Sequence, residues 1–235
     1  MNEKFLIRSH EVDLFSGNRV QVEMCFFDRN YYDDACYTDS KVRLSESIAN
    51  SSIKRKSDFL AGRISANRAL RKIGAEDALT HTDSQHLPRW PNGYVGSISH
   101  TDGIAVSAVS LETYCTAVGI DAELNMDLDS IHLLYKELTV ENEWEVLIQQ
   151  NPAIPRRMLL TLIFSAKESL YKALYPLVRE FFDFQAARVE SISVERREFS
   201  IVLTRAWNDT FYKGLRLVGN FRIYDGFIVT GLVII

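Results

Sequence analysis

The sequence has few cysteines and no excess of positive charge, and both shortages exclude functional classes. Its three cysteines, Cys25, Cys36 and Cys115, form no CxxC pair and leave an odd count, which predicts reduced thiols and not a disulfide framework. The 27 Lys and Arg residues are outnumbered by 31 Asp and Glu residues. A net charge of −4 argues against a general nucleic-acid-binding protein, since such proteins are usually basic.

Long apolar segments are also missing. The longest apolar run, residues 227–235, is interrupted by Thr230 and Gly231. It is too short for a membrane-spanning helix and instead predicts a buried strand. The N-terminus alternates charged and apolar residues and lacks the apolar core of a signal peptide. We therefore expect a cytoplasmic protein with no membrane span.

Three common functional loops do not occur in the sequence. It contains neither a Walker A sequence nor a GxGxxG turn, the two commonest phosphate-binding loops. No GxSxG elbow surrounds Ser97 or Ser99, so a Ser/His/Asp hydrolase is not favoured. Any phosphate chemistry must therefore use other groups.

Hydrophobic periodicity predicts a mixture of helices and strands. A helix is expected at 57–73, where Gly74 marks its end. Asp102-Gly103 suits the turn of a hairpin. The other predicted helices are 130–150 and 156–175, where Pro176 forbids simple continuation. The predicted strands are 19–27, 94–99, 104–111, 116–120, 189–194, 198–203, 215–224 and 227–235.

A weak internal similarity suggests two related halves. Residues 59–61 (FLA) resemble residues 164–166 (FSA), and 68–70 (RAL) resemble 172–174 (KAL) at nearly the same offset. We expect an α+β fold of two similar, pseudo-symmetric lobes, each a helix packed on a small antiparallel sheet. The expected lobes are 1–113 and 114–235, in a monomer.

Two carboxylates stand two residues apart in Gly119-Ile120-Asp121-Ala122-Glu123. On a strand, Asp121 and Glu123 would project from one face. Their mutual repulsion would be relieved by a hard divalent cation such as magnesium. The alternative is a strand that runs out into solvated acids.

A second candidate group lies on the predicted helix at 156–175. Ser165, Glu168 and Lys172 would share one face. Glu168 and Lys172 could form an acid/base pair beside a phosphate, or a simple surface ion pair.

Further candidates for phosphate contacts are polar and basic. Ser99 and His100 come just before the predicted hairpin turn, where the histidine could bind a nucleotide or only cap the turn. Arg55, Arg63 and Arg89 could bind phosphate oxygens through their guanidinium groups, or could simply be solvated.

Four of these blocks together resemble one known family. FLAGRISANRAL at 59–70, PRWPNGYVGSISHTDG at 88–103, VGIDAE at 118–123 and FSAKESLYKAL at 164–174 resemble the 4′-phosphopantetheinyl transferase family. The resemblance is to its siderophore-synthase branch, the enterobactin synthase component D type. The blocks cover about fifty residues and occur in the family's order.

The resemblance implies roles for the matching residues. Asp121 and Glu123 would bind Mg²⁺, and Glu168 would be both a third ligand and the catalytic base. Lys172 would contact coenzyme A phosphates. The remaining contacts to the nucleotide and phosphates would come from Arg55, Arg63, Arg89, Ser99 and His100.

The implied reaction transfers the 4′-phosphopantetheine moiety of coenzyme A to a serine of an apo carrier protein and releases 3′,5′-ADP. Mg²⁺ is the expected metal, with Mn²⁺ also able to serve. The resemblance favours peptidyl or aryl carriers of siderophore or other nonribosomal peptide synthesis, with acyl carriers also open. Two alternatives are a metal-dependent nucleotide phosphohydrolase and a non-catalytic module that binds coenzyme A or a carrier.

Overall fold

A computed structural model describes residues 4–17, 19–83, 87–127 and 134–235. The chain divides into two compact units, with the division between Val118 and Gly119. Each unit has its own sheet and its own long helix.

The first unit is a four-stranded sheet in the order β1-β2-β6-β5, with helix α3 packed on β2 and β6. A separate two-stranded ladder joins β3 to β4. The elements of this unit are β1 (Leu6–Glu11), β2 (Val20–Phe27), α1 (Ala35–Asp39), α2 (Glu46–Ala49), α3 (Ile53–Lys72), β3 (His81–Thr82), β4 (Pro88–Arg89), β5 (Tyr94–Thr101) and β6 (Ile104–Leu111).

The second unit is a five-stranded sheet in the order β7-β11-β10-β9-β8, with helix α5 packed on β11 and β8. Residues 134–138 are also helical. The elements are β7 (Ala117–Leu124), α4 (Glu143–Gln150), α5 (Arg156–Val178), β8 (Ala187–Ser193), β9 (Glu198–Leu203), β10 (Arg216–Ile223) and β11 (Phe227–Ile234).

The two units share one topological rule. In each, the strand that precedes the long helix is hydrogen-bonded to the unit's last strand: β2 to β6, and β7 to β11. The registered pairs in both sheets, such as β2–β6 and β10–β11, are antiparallel. The predicted α+β architecture, a helix on an antiparallel sheet in each half, is confirmed.

Helix α3 begins four residues earlier than its apolar pattern indicated. The side chain of Ser52 accepts a hydrogen bond from the backbone N–H of Arg55 at 3.3 Å and caps the helix. The basic residues 54–56 therefore lie in its first turn and not before it. At the other end, Gly74 has a positive φ of 83° and follows the last turn as predicted.

The second long helix continues past its proline. Pro176 lies inside the last turn of α5, which ends at Val178, whereas the sequence predicted an end at 175. A proline there removes the N–H that would bond to the carbonyl of Lys172 and crowds that carbonyl, and the helix continues for only two residues after it.

Other element predictions needed larger corrections. The single helix predicted at 130–150 is wrong, because residues 139–142 are not helical and α4 starts only at Glu143; the start of that prediction, 130–133, lies outside the described residues. Strand β1 was not predicted, because its two faces show no clear apolar alternation. The segment predicted as a loop at 75–93 contains the short β3–β4 ladder.

In the part of the chain that the structure describes, no helix has both the length and the apolar character needed to cross a bilayer.

Gly119 lets β7 lie directly against α5. A Cβ atom at this position would stand 1.8 Å from the carbonyl oxygen of Ser169 and 2.9 Å from the backbone nitrogen of Ala173. Both obstacles are helix backbone, which cannot rotate away as a side chain can. The close approach places the next residues of β7, including Asp121, against the side chains of α5.

We predict that Gly119→Ala destabilises the second unit by about 3 kcal/mol, the upper end of the usual cost of overpacking, because the helix backbone cannot move aside. Urea unfolding followed by circular dichroism measures the loss. Gly62→Ala is the matched control, because its new Cβ would meet a side-chain methyl, Ile98 Cγ2 at 2.9 Å, and no backbone atom of another element. Equal stability of Gly119→Ala and Gly62→Ala would contradict this account of β7.

Candidate active site

Asp121 is a buried carboxylate held on both of its oxygens. The residue is 1% exposed. Its Oδ1 accepts from Lys172 Nζ at 2.6 Å, and its Oδ2 accepts from Ser165 Oγ at 2.7 Å. Ser165 and Lys172 stand seven residues apart on α5 and reach the same strand residue, as their shared helix face predicted. The alternative of a solvated strand end is therefore wrong for Asp121.

The charges of Asp121 and Lys172 act on both Glu123 and Glu168. Burial raises the pKa of Glu123 to about 8, and Asp121 and Glu168 add to the increase while Lys172 opposes it. Burial also raises the pKa of Glu168, with Lys172 opposing and Asp121 adding. We call Asp121, Glu123 and Glu168 the carboxylate cluster. Lys172 favours the charged form of both glutamates, while neighbouring carboxylates and burial disfavour it.

The carboxylate cluster is not already arranged as a metal site. Within the described ranges, no group of three or more His, Cys, Asp or Glu side chains is positioned to hold a metal ion. The donor set nevertheless fits magnesium or manganese, because it consists of carboxylate oxygens that neighbour one another on β7 and α5. Of the Asp121 oxygens, one accepts from Lys172 and the other from Ser165.

The first unit contains a buried guanidinium that forms no ion pair with any described residue. Arg63, on α3, is 4% exposed. Its Nη2 donates to Thr82 Oγ1 at 2.9 Å, while Nη1 finds no acceptor among the described residues. Burial lowers the pKa of Arg63 to about 10, and the positive charge of Arg55 acts in the same direction. An unpaired buried cation of this kind is suited to an anion that arrives from outside.

Arg63 adjoins a cleft of about 1140 Å³ within the first unit. Its guanidinium stacks over the ring of Phe59 at 4.7 Å. Phe59, Thr82 and Arg89 all line the cleft. The structure therefore places the two predicted arginines, Arg63 and Arg89, beside one cavity, with exposed Arg55 two helical turns from Arg63.

Ser99 and His100 both lie on β5, and the hairpin turn that follows consists of Asp102 and Gly103. Ser99 is buried, while His100 is partly exposed with its Nδ1 3.9 Å from Asp58 Oδ2. Asp58 is itself 2% exposed and pairs with two further cations. These are Arg29 at 3.2 Å and Lys54 at 3.0 Å.

Several partners of the predicted residues were missed from the sequence. Thr82 sits in a stretch that predicted only a loop, and the helix pattern at 57–73 did not single out Asp58. The hydroxyl of Thr230 lies 2.8 Å from that of Ser165. The only signal for Thr230 was a hydroxyl inside an otherwise apolar strand.

Comparison with known proteins agrees with this geometry. Residues 44–110 match the family model described as the 4′-phosphopantetheinyl transferase N-terminal domain, and residues 117–223 match the 4′-phosphopantetheinyl transferase superfamily. The 4′-phosphopantetheinyl transferase Npt of Nocardia iowensis is 31% identical over 193 residues, which cover 79% of this chain and 85% of that protein. The chain belongs to the 4′-phosphopantetheinyl transferase family.

Other relatives match over shorter stretches. Enterobactin synthase component D of Salmonella typhi is 36% identical over 140 residues, 60% of this transferase and 56% of that protein. The 4′-phosphopantetheinyl transferase PptT of Mycobacterium tuberculosis is 32% identical over 147 residues, 60% of this chain and 61% of that protein. The chain thus spans little more than half the length of these two relatives.

The family sets the reaction class of the transferase. Its members use coenzyme A as donor and act on carrier proteins, so the enzyme moves 4′-phosphopantetheine from coenzyme A to a carrier. The phosphohydrolase alternative has no support from these relatives.

The raised pKa of Glu123 predicts a pH-dependent stability. Because this pKa is about 8 in the folded protein, from an ordinary 4.5, the folded state binds more protons between those values and loses stability as pH rises through them. Glu123→Gln removes this loss. In EDTA, we expect the variant to melt at a higher temperature than the unmodified protein at pH 8.5, and the difference to shrink towards pH 4.5.

Thermal unfolding by circular dichroism checks this prediction. Glu198→Gln is the matched control, because that glutamate lies at the protein surface in an ion pair with Arg196. A melting difference for Glu123→Gln that stayed constant from pH 4.5 to 8.5 would show that burial does not disfavour the Glu123 carboxylate.

Proposed function

We propose that the two units divide the transferase reaction, the first binding phosphates of coenzyme A and the second carrying the carboxylates that act at the reacting centre. The observation that carries this proposal is the carboxylate cluster. It sets Glu123 and Glu168 near buried Asp121, whose carboxylate accepts from Ser165 and Lys172.

Asp121, Glu123 and Glu168 are proposed to hold Mg²⁺, or Mn²⁺ in its place. When bound, the cation would neutralise the charge that develops on the phosphate of the departing 3′,5′-ADP. The two neighbouring carboxylates on β7 and the third on α5 are the oxygen donors that such an ion prefers.

Glu168 is proposed as the base that receives the proton of the carrier serine. Its burial raises its pKa, and a carboxylate with a raised pKa is a better proton acceptor near neutral pH. The serine oxygen forms a bond to the phosphorus attached to pantetheine. The bond from that phosphorus to the bridging oxygen breaks, and 3′,5′-ADP leaves with the electron pair.

Lys172 is proposed to stabilise the departing phosphate. Its Nζ donates to Asp121 at 2.6 Å, so the ammonium already stands beside the carboxylate cluster. An ammonium has three donors, so Lys172 can keep contact with Asp121 while it donates to a phosphate oxygen.

Arg63 and Arg89 are proposed to bind coenzyme A phosphates in the cleft of the first unit, with Arg55, Ser99 and His100 as further contacts to the phosphates and nucleotide. The unsatisfied Nη1 of buried Arg63 supports this role, because a buried donor without an acceptor is costly unless a ligand completes it. A dianionic phosphate group offers several such acceptors.

The acceptor is proposed to be a peptidyl or aryl carrier of siderophore-type peptide synthesis. The support is the similarity to proteins named enterobactin synthase component D. Acyl carriers are the alternative, and an assay against a panel of apo carriers of all three types distinguishes them.

We predict that Arg63→Met stabilises the ligand-free protein but weakens its interaction with coenzyme A. Replacing an unpaired buried cation by an apolar side chain should raise the melting temperature of the ligand-free protein. The same change should raise KM for coenzyme A about 10- to 100-fold, as expected for losing hydrogen bonds to a charged group. Arg196→Met, at an exposed position, should change neither; a fall in stability with unchanged KM would contradict the phosphate role.

We predict that Asp121→Asn lowers the rate of transfer about 100-fold or more, as losses of charge-stabilising groups commonly do, while the protein remains folded. Intact mass spectrometry of an apo carrier, incubated with coenzyme A and Mg²⁺, measures the added phosphopantetheine. Addition of Mg²⁺ should also raise the melting temperature of the unmodified protein and not that of the variant. Near-normal transfer by Asp121→Asn would refute the proposed role of the carboxylate cluster.

A further inference from the structure

Three hydroxyl groups form a buried chain that ends on Asp121. Ser169 Oγ lies 2.6 Å from Thr230 Oγ1, which lies 2.8 Å from Ser165 Oγ, which donates to Asp121 Oδ2 at 2.7 Å. Ser165, Ser169 and Thr230 are each 0% exposed. We call these three residues the hydroxyl chain.

The carboxylate end fixes the direction of the hydroxyl chain. An ionised carboxylate only accepts, so the single proton of Ser165 goes to Asp121. Thr230 Oγ1 also lies 2.8 Å from the carbonyl oxygen of Ser165, to which it donates. Because the proton of Ser165 goes to Asp121, the single proton of Thr230 is shared between two acceptors of Ser165, the carbonyl oxygen and Oγ. Thr230 Oγ1 in turn accepts from Ser169.

Thr230 limits the orientation of the Ser165 hydroxyl. A serine inside a helix can turn its hydroxyl to the carbonyl four residues earlier, which here belongs to Thr161. Because the Thr230 hydroxyl and the Ser165 hydroxyl are in hydrogen-bond contact, Ser165 Oγ is kept on the side of β11 and Asp121. Without Thr230, the turn towards Thr161 would compete with the bond to Asp121.

We propose that Thr230 is a positioning residue for the reaction, which orients the Asp121 carboxylate through Ser165. It keeps Oδ2 on the Ser165 hydroxyl, which leaves Oδ1 to Lys172. Thr230 lies in β11, beyond residues 117–223 that match the superfamily. The inference rests on the proposed role of Asp121 in cation binding.

The test measures Mn²⁺ binding to the metal-free protein by electron paramagnetic resonance, which detects the free ion and needs no turnover. Thr230→Val exchanges the hydroxyl for a methyl of similar size and should weaken Mn²⁺ binding about tenfold, the lower end of losses for residues that orient metal ligands. Thr230→Ser keeps the hydroxyl and should bind Mn²⁺ like the unmodified protein. In a Ser165→Ala background, Thr230→Val should add no further loss, because it acts through Ser165.

Ser65→Ala is the matched control for loss of a buried hydroxyl. Ser65 is 0% exposed, donates to the Glu23 carbonyl at 2.7 Å and lies 2.9 Å from Ser107 Oγ in the first unit. Its removal should lower the melting temperature and leave Mn²⁺ binding unchanged. Should Thr230→Val fail to fold, Thr230→Ala takes its place with the same expectation.

The outcomes separate the inference from the function on which it rests. Tenfold weaker Mn²⁺ binding by Thr230→Val, restored by Thr230→Ser, supports the inference. Unchanged binding by folded Thr230→Val, while Asp121→Asn loses binding, overturns the inference alone. Unchanged binding by Asp121→Asn overturns the proposed cation site and the inference with it.

Discussion

The contact between strand β7 and helix α5 is the constraint on which the second unit depends. Gly119 allows the strand to reach the backbone of the helix at Ser169, and two residues later Asp121 meets Ser165 and Lys172. A buried carboxylate is costly unless donors satisfy it. Here Ser165 and Lys172 donate from one face of α5. The contact that packs the strand on the helix therefore also satisfies the buried carboxylate.

The two units bury charges of opposite sign. In the second unit, the carboxylate cluster has more acids than bases, and burial raises the pKa of Glu123 and Glu168. In the first unit, Arg63 is a buried cation whose pKa is lowered by burial and by Arg55. Buried charge of one sign reduces the stability of the ligand-free protein and favours a ligand of the opposite charge. The proposed ligands are a cation in the second unit and a phosphate in the first.

The sequence predicted the regular elements better than their ends and partners. The eight predicted strands and the Asp102-Gly103 turn rested on local signals, and all of them occur in the structure. The break in the helix predicted at 130–150 was not evident, because its apolar spacing continues across residues 139–142. The short distance between β7 and α5 could not be predicted either, since only the folded backbone shows that a Cβ at Gly119 has no room. Thr230 illustrates the same limit, because its partner Ser165 lies 65 residues away in the chain.

Anomalous diffraction from crystals grown with coenzyme A and Mn²⁺ tests the central claim most directly. The account predicts a Mn²⁺ peak with carboxylate oxygens of Asp121, Glu123 and Glu168 at about 2.0–2.2 Å, the range for small hard cations with oxygen ligands. A cation bound elsewhere in the protein, with Glu168 turned away into solvent, would contradict it.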